Sequence, residues 1–92
     1  MPVTKEQLEK AVQRIIEEGA TRVVLFGSAV DSLEEARDLD LACEGIGGWE
    51  LFGLQGLLVE ELRIPVDLVP LRPETRFTRH VERWGKVLYA AP

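Results

Sequence analysis

The chain's strongest constraint is an apolar run, Val23-Val24-Leu25-Phe26, that stops at Gly27-Ser28 and is followed ten residues later by Asp38-Leu39-Asp40-Leu41. Four apolar residues closed by a glycine read as a buried strand ending at a tight turn, with Ser28 placed to cap whatever helix follows. The backbone amides of that turn could hold an anion. The second stretch alternates from Asp38 to Cys43, so Asp38, Asp40 and Ala42 share one face of a strand while Leu39, Leu41 and Cys43 share the other.

Two carboxylates on one strand face repel. At a separation of about 5 Å and an effective dielectric near 20 the repulsion is roughly 3 kcal/mol, against under about 1 kcal/mol in open water. A third acid, Asp67, is the only charge in the β-rich run Ile64-Pro65-Val66-Asp67-Leu68-Val69. Aspartate is depleted in strands because its side chain competes for backbone hydrogen bonds, so acids on apolar strands ask for a reason. A divalent cation supplies one, since hard oxygen donors with an open coordination sphere are what magnesium uses beside phosphate oxygens.

Gly27-Ser28, a spacer, Asp38-x-Asp40 and a lone Asp67 on a later strand together resemble the DNA polymerase beta-like nucleotidyltransferases, and more narrowly their minimal domains. The likeness runs from the first helix to the region of Tyr89. It implies an α/β (α+β) fold, a small mixed β-sheet with helices packed mainly on one side. It also implies an enzyme that moves a nucleoside monophosphate, AMP from ATP, onto a hydroxyl. Asp38, Asp40 and Asp67 would be the catalytic and metal-binding acids, holding two Mg2+ ions, and Gly27 and Ser28 would bind the nucleotide's phosphates. Minimal domains of this kind are often paired with a helical HEPN protein in a toxin–antitoxin arrangement, which implies a HEPN-like partner as acceptor. Two departures bear on this. An Ala-Arg-Gly-type segment commonly follows Gly-Ser in the family, where this chain has Ala29-Val30-Asp31, and Arg37 stands where a serine commonly precedes the first acid. They motivate an alternative reading, a non-catalytic module that neutralises the helical partner by binding it. A third reading leaves the acids merely solvated at a sheet edge.

The 92 residues read as one domain, 1–92, with no apolar run near the ~20 residues needed to span a membrane and no apolar core of signal-peptide type at the N-terminus. A cytosolic location follows as an expectation. The net charge of −5 argues against a general nucleic-acid binder. Its distribution is uneven: residues 1–62 carry 5 basic and 13 acidic side chains, residues 63–92 carry 6 and 3. The single Cys43 lies on the apolar side of its strand and reads as a small buried hydrophobe.

Thr4-Lys5-Glu6-Gln7 is a capping box, followed by Leu8, Ala11, Val12, Ile15 and Ile16 at helical spacing until Gly19. Residues 29–37 read as a short helical turn and a loop, with Asp31, Glu34 and Glu35 beside the acid site. Trp49–Leu62 reads as a helix that buries Leu51, Leu54, Leu58 and Leu62, with Gly53 and Gly56 expected to allow close packing on the sheet. After Pro70 and Pro73, Glu74–Arg83 reads as a helix with Phe77, Val81 and Trp84 on its apolar stripe and His80 beside it, a partly buried imidazole. Arg76, Arg79 and Arg83 form a row, expected to border a docking surface. Gly85 ends that helix, and Lys86–Tyr89 reads as a terminal strand.

Overall fold

The computed structural model describes residues 2–92. The chain runs α1 (Lys5–Glu17), β1 (Arg22–Phe26), α2 (Ser28–Asp31), β2 (Leu39–Glu44), α3 (Gly48–Leu62), β3 (Val66–Pro70), α4 (Arg76–Trp84) and β4 (Lys86–Ala90). The four strands form one mixed sheet in the order β3-β2-β1-β4. β1 lies antiparallel to β2 and β4, and β2 lies parallel to β3 with α3 as the crossover. No helix among the described residues is long and apolar enough to cross a membrane.

The capping box forms at Thr4. Its hydroxyl accepts from the Gln7 N–H at 3.1 Å, and its own N–H donates to Gln7 Oε1 at 2.8 Å. Gln7 Nε2 also donates to the Leu62 carbonyl at 3.0 Å, tying the start of α1 to the end of α3. On β1 and β2 the alternation divides the core in two. Val23, Leu25, Leu39, Leu41 and Cys43 face α1 and α3 and meet Ala11, Ile15, Leu51, Leu54 and Leu58, while Val24 and Ala42 face the other way and meet Leu71 and Val81. Cys43 is the small buried hydrophobe its strand position implied, with burial pushing its thiol up to about 11. Three helices therefore contribute to one side of the sheet, and α4 alone covers part of the other. The exposed edge at β3 is partly closed from α3, where Gln55 Oε1 accepts from the Leu68 N–H at 2.7 Å.

Gly85 caps α4 and lets it turn directly into β4. A Cβ there would lie 2.5 Å from the Val81 carbonyl oxygen and 2.7 Å from that of Leu25, so only a bare backbone fits.

The two α3 glycines behave differently from the expectation. A Cβ at Gly53 or Gly56 would meet nothing within 4 Å, so neither glycine permits packing on the sheet. Leu51, Leu54, Leu58 and Leu62 already fill that side, and the glycines fall on the outer face with Trp49 and Phe52, both strongly exposed. With no steric reason for glycine, Gly53→Ala and Gly56→Ala should each stabilise the isolated chain by about 0.5–1 kcal/mol. Denaturant unfolding checks this, and a loss of stability in either variant would show that α3 carries a constraint beyond its own helix.

Candidate active site

β2 begins at Leu39, so Asp38 stands one residue ahead of the strand, and only Asp40 and Asp67 are borne on strands. Asp40 is the centre of the site. It pairs across the antiparallel register with Phe26 and across the parallel register with Asp67. Neighbours in register point to the same face, so Asp40 and Asp67 emerge side by side, on the face that α4 only partly covers. Asp38, two residues before Asp40, approaches the same edge.

The turn after β1 closes against this rank. Gly27 is the N-cap of α2, with φ 77° and ψ −159°, a region open essentially to glycine alone. A Cβ on Gly27 would run into the Asp40 carboxylate, with Cγ 3.0 Å away. The Gly27-Ser28 turn and Asp40 are thus in direct contact, which joins the two motifs that are ten residues apart in the sequence. Ser28 does not cap α2 as expected: it is the first helical residue, and the cap makes no side-chain hydrogen bond. The Val30 N–H donates back to the Gly27 carbonyl at 3.2 Å, so the Ser28 hydroxyl and the Ser28 and Ala29 amides are what the turn leaves to other partners.

The electrostatics single out the same place. Burial raises the Asp40 pKa above its ordinary 3.8, and the negative charges of Asp38 and then Asp67 raise it further. At the other end of the same sheet face the acids are answered. Arg72 lies 2.8 Å from Glu82 and 3.6 Å from Glu44, and Arg22 lies 3.5 Å from Glu82. Every ion pair among the described residues uses a glutamate; Asp38, Asp40 and Asp67 have none. Three carboxylates of hard-donor type with no cationic partner fit a divalent cation in their chemistry. Among the described residues, however, no three such groups are gathered closely enough to enclose one.

The pH dependence has a definite sign. Because the folded pKa of Asp40 is raised, its contribution to stability is fully present below 3.8 and is lost as pH rises through the folded value. Asp40→Asn should therefore be more stable than the parent chain at neutral pH in chelator, and the gap should close on acidification below that value. Thermal melts across pH test this. A clear loss of stability in the asparagine variant at neutral pH would mark Asp40 as a structural hydrogen-bonding residue instead.

A cleft of about 450 Å³ adjoins the site, between Gly27, Val30 and Asp31 on one side and Phe77, His80 and Trp84 on the other, over Phe26. The sequence reading missed it. Phe77 meets Phe26 edge-to-face at 5.6 Å, but it and Trp84 stay 51% and 65% exposed, and of the apolar stripe only Val81 is buried. His80, expected to be partly buried, is exposed on the cleft wall. Asp31 faces the cleft, whereas Glu34 and Glu35 border a separate hollow with Pro2 and Arg37.

Solved structures share this fold. A toxin–antitoxin crystallised with AMP-PNP matches with a TM-score of 0.72 at 22% identity, over 97% of this chain and 75% of that one. The fold is that of a minimal nucleotidyltransferase. A mutant of the toxin–antitoxin MntA-HpeT matches with a TM-score of 0.72 at 22% identity, over 97% and 74% of the two chains. The complex of the tri-AMPylated Shewanella oneidensis HEPN toxin with MNT antitoxin gives 0.67 at 24% identity, over 94% and 69%. No protein-family model matches the sequence, and neither does any curated protein. The mixed sheet and the helices on its two faces are thus those of the nucleotidyltransferase fold.

Proposed function

We propose that this chain is a nucleotidyltransferase that moves AMP from ATP onto a hydroxyl of a helical HEPN-like partner, as the antitoxin of a toxin–antitoxin pair. The observation that carries the reading is the contact of Asp40 with Gly27 at the Gly-Ser turn, with Asp67 beside Asp40 in register. Support for the setting comes from the neighbours: one was solved with AMP-PNP, and in another the HEPN toxin itself is tri-AMPylated.

Asp38, Asp40 and Asp67 would hold magnesium, two ions by the family resemblance. Magnesium held there would neutralise triphosphate charge and favour the attacking and leaving oxygens. Gly27 and Ser28 hold the β- and γ-phosphates through backbone N–H groups and the Ser28 hydroxyl. Asp67, the more open member of the strand pair, takes the proton of the acceptor hydroxyl. The acceptor oxygen then bonds to the α-phosphorus, the bond to the β-phosphate oxygen breaks, and pyrophosphate leaves. Asp40, wedged between Gly27 and Asp67, fixes the distance between the phosphate-holding turn and the proton-accepting acid.

The test uses ATP labelled in the α- or the γ-phosphate, magnesium and the cognate helical partner. Label from the α position alone should appear on a partner hydroxyl, most simply a tyrosine. Label from the γ position on the partner would mean a kinase reaction and would overturn the assignment. The binding-only module is favoured by one observation, that the three acids are not already gathered around a common point. It is upheld if the partner is silenced with no label transferred.

A further inference from the structure

We propose that the outer face of α3 is a self-association surface, on which a second copy of this chain packs its own α3 antiparallel about a two-fold axis between Leu54 and Gln55. The inference does not depend on the nucleotidyltransferase reading and concerns a face turned away from the acids. α3 covers one side of the sheet, and Asp40 and Asp67 emerge on the other. A dimer built through α3 therefore leaves both acid sites open.

Trp49 and Phe52 are 92% and 72% exposed, and Leu57 and Val59 are exposed beside them. A tryptophan or phenylalanine side chain presents about 150–250 Å², so this face offers roughly 500 Å² of apolar surface. That is toward the upper end of what a monomeric protein leaves in one patch. Two copies covering each other would bury about 1,000 Å², the lower bound for a specific interface. Glu50 and Glu60, neither of them in an ion pair among the described residues, rim the face and disfavour an anionic lipid surface as its occupant.

The face also matches itself. Trp49, Gly53, Gly56 and Glu60 fall at i, i+4, i+7 and i+11, a single stripe. Gly53 and Gly56 are equally far from the midpoint of Leu54 and Gln55, and so are Trp49 and Glu60. A two-fold axis at that midpoint sets Gly53 of each copy opposite Gly56 of the other, and the Trp49 indole N–H of each opposite the Glu60 carboxylate of the other. The two Glu60 carboxylates are then about 16 Å apart along the helix axes, and the two helix dipoles run in opposite directions. A parallel pair would set Glu60 against Glu60. Both glycines weaken α3 relative to alanine, and a Cβ on either would meet nothing within its own chain. A second helix gives them a purpose, since bare backbone at the crossing lets the axes come closer than the usual separation of about 8–10 Å.

Sedimentation equilibrium of the chain from about 1 to about 500 μM should show the mass doubling, with a dissociation constant on the order of 10–100 μM, as suits an interface at the small end of the range. In a Trp84→Phe background Trp49 is the only tryptophan, and its emission should shift to the blue over the same range. Phe52→Glu should keep the far-ultraviolet spectrum of the parent and stay monomeric throughout. Gly56→Ala should raise the unfolding midpoint of the dilute, monomeric chain yet weaken the dimer by about 10-fold or more. Those two effects have opposite signs, which a change confined to the helix itself does not produce. A chain that stays monomeric at the highest concentration, or a dimer that Phe52→Glu and Gly56→Ala leave unchanged, overturns the proposal. A blue shift of Trp49 that appears only on adding the cognate helical partner gives the face to that partner and overturns it as well. None of these outcomes touches AMP transfer, which the labelled-ATP assay decides separately.

Discussion

Asp40→Ala is expected to lower the rate of AMP transfer to the partner by about 1,000-fold or more while leaving the chain folded and able to bind that partner. Metal-held charge at a transferring phosphoryl group contributes several kcal/mol, and at about 1.4 kcal/mol per tenfold this corresponds to roughly three powers of ten. Asp40 is the acid whose loss should cost most. It is in register with Asp67, it touches the Gly27-Ser28 turn, and its own pKa responds to both other acids. Removing it also relieves the repulsion, so the variant should melt no lower than the parent chain in chelator. Asp38→Ala should lose transfer as well, although Asp38 lies outside the strand and is more exposed. The assay is α-label transfer at saturating ATP, read beside complex formation by gel filtration. An Asp40→Ala protein that still transfers label at more than about a tenth of the parent rate would remove Asp40 from the catalytic set.

The core of the site was legible because it depends on short-range pattern. An apolar run stopped by Gly-Ser can end only as a strand at a turn, and alternation over Leu39–Cys43 places Asp40 and Ala42 opposite Leu39, Leu41 and Cys43 whatever the topology. That Asp67 stands beside Asp40 was not legible, since parallel register is set by the α3 crossover and by packing of Val66 and Leu68. The same limit hid the cleft. Periodicity showed that Phe77, Val81 and Trp84 share a side of α4, but not how much of that side the sheet would cover. Val81 reaches Val24 and Ala42, while Trp84 projects past them. Gly53 and Gly56 were misread for the complementary reason. α3 is apolar on its outer face too, so pattern alone did not say which side the glycines occupied. Ser28 was misplaced by one residue, because Gly27, in a backbone region that glycine alone enters readily, is itself the N-cap of α2.

Gly27→Ala should be the most damaging small substitution in the site, and its cost has two separable parts. The backbone part comes from φ 77° and ψ −159°, which an L-residue adopts only at a cost of about 1–3 kcal/mol. The contact part comes from the new methyl, which would occupy the place of the Asp40 carboxylate. Because about 1 kcal/mol moves the melting temperature of a chain this size by roughly 4–8 °C, the variant should melt about 10 °C or more below the parent. A double-mutant cycle with Asp40→Ala divides the two. With the carboxylate gone the two closest contacts are removed and only the Cβ of residue 40, 3.2 Å away, still presses on the methyl, so Gly27→Ala should cost about 1 kcal/mol less in the Asp40→Ala background than in the parent, while the backbone part stays. Equal costs in the two backgrounds would mean that the turn and the carboxylate are not in contact in solution, and the link between the Gly27-Ser28 turn and the acids would fail with it. If the coupling is found, AMP transfer by Gly27→Ala should be lost even at temperatures where the variant is fully folded. The methyl must displace the carboxylate from its place between the turn and Asp67.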